Sequence, residues 1–170
     1  MSHSSAAARP HAGRPQADKL TRLFGASIGL VAMLVIQFIL GMVYNLYGTA
    51  PTSKKSIGLF SSPTIALHVI LGLLLFVAAV FHLVRAIGTR RALVIWLSAI
   101  GLVSIIGAGF AGLGFAGSGA ASASLGMSLA FALALGCYVA LLVVLAPGPG
   151  PARALARSAA PDEASHSSTT

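Results

Sequence analysis

The chain has 170 residues, of which 56% are hydrophobic and 8% charged, and a net charge of +8; its mean hydropathy is +0.91. A soluble domain carries roughly a quarter charged residues, so this composition excludes one and indicates an integral membrane protein in contact with the lipid bilayer. The one cysteine, Cys137, lies in an apolar run, which excludes a disulfide framework and a cysteine-based metal site. The basic residues are scattered over tails and loops, which speaks against a nucleic-acid partner and fits the flanks of membrane spans.

Residues 1–20 read as a basic cytoplasmic tail, rich in Ser, Ala, Arg and Pro. Such a composition buries too little apolar area to offset its ordering entropy. A transmembrane domain follows over 21–146, with four apolar segments near 23–46, 63–86, 92–115 and 123–146. Each reaches the roughly 20 residues that a helix needs to cross the hydrocarbon core. The first is too long for the apolar region of a cleaved signal peptide, which runs about 7–15 residues, so it is expected to be retained. Pro63 suits a first helical turn, where its missing N–H is not needed. The run Pro147-Gly-Pro-Gly-Pro151 ends the fourth segment, and residues 147–170 read as a second disordered tail.

Orientation follows from the arginines and lysines. Arg9, Arg14, Lys19 and Arg22 precede the first segment, Arg85, Arg90 and Arg91 lie between the second and third, and Arg153 and Arg157 follow the fourth. The loop between the first two segments holds only Lys54 and Lys55. By the positive-inside rule both termini are cytoplasmic and the protein is a multi-pass component of the plasma membrane. The expected fold is all-α, a bundle of four antiparallel transmembrane helices.

Polar side chains within the spans carry what functional signal there is. In the first segment Met33, Gln37, Gly41 and Asn45 recur every fourth residue and form one stripe expected to face the bundle. Gln37 or Asn45 can contact a quinone or substrate, or can hydrogen-bond a neighbouring helix, and helix-to-helix bonding is the simpler role. Ser104, Ala108, Gly112 and Ala116, and likewise Ser122, Gly126, Ala130 and Ala134, form small-residue stripes suited to close packing. The glycine-rich run that starts at Gly107 is not a phosphate loop, since no strand precedes it and no Lys-Ser/Thr follows. It is expected to pack, and to loosen the far end of the third helix. Tyr44, Tyr47 and Trp96 suit the aromatic belts at the membrane surfaces.

His68 and His82 are the two histidines within the spans, fourteen residues apart on the second segment. At 100° and 1.5 Å per residue they lie within about 40° of each other and about 21 Å apart along the helix. Gly72 and Ala79 lie between them on that face. Ionisable side chains in a membrane are functional candidates by default. Two roles are open: interhelical hydrogen bonding, and axial ligation of haem iron by each imidazole.

The H-x13-H spacing on a transmembrane helix resembles that of the cytochrome b family of quinol oxidoreductases, and the four-span build resembles bacterial cytochrome b561-type proteins. This resemblance implies haem b as cofactor and electron transfer through His68 and His82, which would then be metal ligands. Gly72 would clear space for the macrocycle, Arg85 would pair with the propionates of one haem, and Lys54 or Lys55 with those of the other. Those families take a second histidine per haem from another helix, and this chain has none. Met42 is the candidate partner for His68, with Met127 at similar depth. A homodimer that brings two histidine helices together, or a five-coordinate haem, are the other ways to complete the site. The whole chain is also similar to small four-span membrane proteins of high-GC actinobacteria, a likeness that implies topology and no activity. With no acidic residue in the spans and no nucleophile or metal-protease spacing, an enzyme is not indicated. The leading expectation is an accessory or packing role beside other membrane subunits, with haem-mediated electron transfer as the alternative.

Overall fold

The computed structural model describes residues 14–48, 51, 52, 54, 58 and 60–146. Four helices account for nearly all of them: α1 Arg14–Tyr47, α2 Pro63–Ile87, α3 Ala92–Ser118 and α4 Ala121–Leu145. All four are long and apolar enough to cross a membrane. The expected all-α four-span architecture is therefore what the chain adopts. The two tails, residues 1–13 and 147–170, lie outside the described residues.

Local sequence explains where the helices start and stop. α1 begins at Arg14, inside the segment expected as tail, because Gln16 to Leu20 are largely good helix formers and Asp18 precedes Arg22 by one turn. At 34 residues α1 is about 51 Å long and extends beyond a hydrocarbon core about 30 Å thick. α2 opens on Ser62, whose Oγ accepts a hydrogen bond from the Ile65 N–H at 3.3 Å, and on Pro63 at the first helical position. At the other end of α2 the Thr89 hydroxyl donates to the Ala86 carbonyl at 2.7 Å and accepts from the Arg91 N–H at 3.3 Å. That bracket holds the turn of Gly88–Arg91 in place, with Arg90 in the left-handed region at φ 54°.

α3 runs without a break to Ser118, through its glycine-rich end. It stops at Gly119, at φ +68°. A side chain at Gly119 would also collide with the carbonyl of Pro51, so the α1–α2 connection rests on the α3–α4 turn. Only Gly119 and Ala120 separate α3 from α4, which forces the two to run antiparallel.

The backbones form a square. Each helix packs on its two neighbours, and the diagonal pairs α1–α3 and α2–α4 stay apart. The α3–α4 face is the most extensive, and the small-residue stripes explain it. A Cβ on Gly126 would lie 3.9 Å from the Ala111 Cβ, and one on Gly112 would lie 3.4 Å from the Met127 sulfur. In a bilayer, lipid is as apolar as leucine, so helices associate through such close packing and through polar contacts. The core is lined by Leu23, Leu30, Leu34, Leu75, Ala79, Val94, Ala134, Tyr138 and Leu141. Equally apolar residues such as Leu73, Val103, Phe110 and Val143 point outward.

Candidate functional site

One helical level joins all four helices. We call the end of the bundle where α1 begins and α4 stops the tail end. His82 lies five residues before Ile87, the last residue of α2, and is buried with 1% exposure. Its Nε2 is 2.9 Å from Ser27 Oγ on α1, and its Nδ1 is 3.2 Å from Ser98 Oγ on α3. The edge-to-face contact with Tyr138 on α4 has a centroid separation of 5.6 Å and an interplanar angle of 89°. Ser27, Ser98 and Tyr138 are themselves fully buried. The imidazole therefore fills the centre of the square and bridges both diagonals.

Proton bookkeeping constrains this cluster. With a neutral ring, the two hydroxyls and one ring N–H supply three protons. Four contacts call for one each, because Ser27 also lies 3.0 Å from the Leu23 carbonyl and Ser98 2.7 Å from the Val94 carbonyl. Ser98 makes the shortest contact with that carbonyl, so its proton goes there and its oxygen accepts from Nδ1–H. Nε2 then carries the lone pair. The Ser27 hydroxyl has two acceptors at nearly equal distance, Nε2 and the Leu23 carbonyl. A serine hydroxyl against a histidine nitrogen is also the geometry of an activated nucleophile. Here both residues are buried in the bundle, Ser27 at 0% and His82 at 1% exposure.

Tyr138 and Gly101 form the layer above. A Cβ on Gly101 would lie 2.9 Å from Cε2 of Tyr138, so the phenol ring requires glycine there. The Tyr138 hydroxyl is buried and has no hydrogen-bond partner among the described residues.

A second polar group lies in the other half of the bundle, on the α1–α2 seam. Gln37 Nε2 donates to the His68 carbonyl at 3.0 Å. A Cβ on Gly72 would lie 3.1 Å from that amide nitrogen, and one on Gly41 would lie 3.5 Å from His68 Cε1. Gln37 Oε1 and His68 Nδ1 are buried without a hydrogen-bond partner among the described residues. Asn45, which shares the stripe with Gln37 and Gly41, is exposed.

The residues singled out in the sequence are thus divided between places. His68 and His82 point into the bundle but into separate clusters. Gly72 makes room for the Gln37 amide. Met42 is 41% exposed on the outer face of α1, and the ring of His68 meets Gly41 instead. Arg85 is exposed, one turn beyond His82 towards the tail end. Beside His82 both ring nitrogens face serine hydroxyls and the ring edge faces Tyr138. At the other level the Gln37 amide bonds the His68 main-chain carbonyl, and a Cβ on Gly41 would touch the His68 ring. No group of three or more His, Cys, Asp or Glu side chains suited to a metal ion occurs among the described residues.

Ser27, Ser98 and Tyr138 were not among the residues the sequence drew attention to. Depth would have found the two serines. Ser27 lies five residues beyond Arg22, Ser98 seven beyond Arg91, and His82 three before Arg85, so all three sit at one level below the basic end. No known protein family, curated protein or solved structure matches this chain.

Proposed function

We propose that this small integral membrane protein is a non-catalytic accessory component, which uses its polar side chains to hold one bundle geometry and presents its apolar faces to lipid and to other membrane subunits. The observation that carries this reading is the internal use of His82, whose two nitrogens face Ser27 and Ser98. A histidine kept for chemistry needs a free nitrogen and a route to it. Both tails lie in the cytoplasm in this reading, and the membrane is the plasma membrane, as the arginine distribution supports.

Two measurements test it. Protein purified after expression with ample haem should be colourless, whereas a sharp visible band on reduction would overturn the accessory reading. For orientation, Lys54→Cys and Arg91→Cys are each made in a Cys137→Ala background. An impermeant thiol reagent added to intact cells should label the first, and the second only after the cells are opened. The reverse pattern would overturn the orientation.

A further inference from the structure

The α1–α2 seam around Gln37 and His68 holds two buried polar atoms that the bundle leaves unpaired. The orientation of the amide is settled, because the His68 carbonyl can only accept and so must face Gln37 Nε2 at 3.0 Å. Oε1 is therefore an acceptor with no partner among the described residues, and His68 Nδ1, which can carry the ring proton, has none there either. Both lie on the α1–α2 seam: the Gln37 amide bonds the His68 main chain, and a Cβ on Gly41, one turn along α1 from Gln37, would touch the His68 ring. Buried polar atoms in native structures are almost always paired, and an exception calls for a group that pairs them. The seam also borders lipid. Ile36 and Leu73, next in sequence to Gln37 and Gly72, are exposed at 50% and 64%.

We propose that this seam is a binding site for a single hydroxyl group, which donates to Gln37 Oε1 and accepts from the Nδ1–H of His68. A hydroxyl is the smallest group that satisfies an acceptor and a donor together. Two sources carry that chemistry, a lipid-soluble alcohol or phenol entering from the bilayer and a trapped water. Glycine at 72 keeps the approach open, since a Cβ there would press on the Gln37 amide at 3.1 Å.

The test uses the full chain in lipid nanodiscs with 15N-labelled histidine and glutamine. Decylhydroquinone is the probe, and its dimethyl ether, which lacks the hydroxyl protons, is the control. The hydroquinone should move the His68 Nδ1 and Gln37 side-chain resonances saturably, and the ether should leave them in place. Gln37→Met, which keeps the volume and removes the acceptor, should weaken the response at least tenfold. His68→Phe should weaken the Gln37 response as much, and serves if the first variant does not fold. A seam filled by water would show no response to the hydroquinone but would give magnetisation transfer from a slowly exchanging water to His68 Nδ1–H, which supports the site with water as its source. Neither signal, or equal shifts with the ether, would overturn the proposal.

Discussion

His82 and Tyr138 meet edge to face across the diagonal of the bundle, 5.6 Å apart, although the backbones of their helices do not touch. The contact exists because Ser27 and Ser98 hold the imidazole upright from the other two corners. Gly101 leaves room for the phenol ring beside it. Four helices that would otherwise slide along apolar faces are thereby keyed at one level.

That keying makes His82 the most sensitive position in the spans. His82→Ala loses both serine contacts and leaves a cavity at the centre of the square. Interhelical hydrogen bonds average about 0.6 kcal/mol each, and core truncations to alanine cost about 2–5 kcal/mol. A loss of about 3 kcal/mol is expected in SDS-driven unfolding of the reconstituted protein. A loss under about 1 kcal/mol would show that the cluster does not hold the bundle.

Ser27 and Ser98 should differ in what they do to the ring. The distances assign the proton of neutral His82 to Nδ1, with Nε2 as acceptor. Histidine 15N spectra should show that tautomer in the native chain. Ser98→Ala should shift the tautomer balance more than Ser27→Ala, because it removes the acceptor of the N–H. A native ring protonated on Nε2 would refute the assignment.

Tyr138→Phe should be neutral or should stabilise the bundle by about 1 kcal/mol, because it removes a buried hydroxyl without a partner among the described residues. Gly101→Ala should cost about 1–3 kcal/mol, the usual cost of overpacking, since the new methyl would meet the phenol ring at 2.9 Å. Pairing it with Tyr138→Leu should recover part of that loss. A double mutant no more stable than the sum of the two losses would show that the two sites are not coupled.

Gly119→Ala tests the far end of the bundle. The residue is at φ +68° and faces the Pro51 carbonyl. The left-handed backbone alone costs a side chain about 1–2 kcal/mol, and the collision adds to that. The expected result is a lower melting temperature with unchanged helix content in circular dichroism. An unchanged melting temperature would mean that the α1–α2 connection does not rest on this turn.

The span count and the opening of α2 at Pro63 were legible because each depends on a local property: length of apolar run and proline at a helix start. Close packing of the small-residue stripes was legible for a similar reason, since four-residue spacing places small side chains on one face whatever that face meets. The start of α1 was not, because the helix outruns the apolar segment, and hydropathy marks the membrane rather than the helix.

The amino-acid sequence by itself determined that this is a four-span membrane protein and that His68 and His82 share one face of α2. It could not say what that face meets. In a soluble helix the apolar side points inward, but here inside and outside are equally apolar, so the pattern of hydropathy carries no direction. Only the tertiary structure decided that His82 meets Ser27, Ser98 and Tyr138 from three other helices, and that Gly72 accommodates an amide. Those partners are more than ten residues away in the chain, and what brings them together is the close fit of small side chains between helices, a property of pairs of faces that no single segment contains.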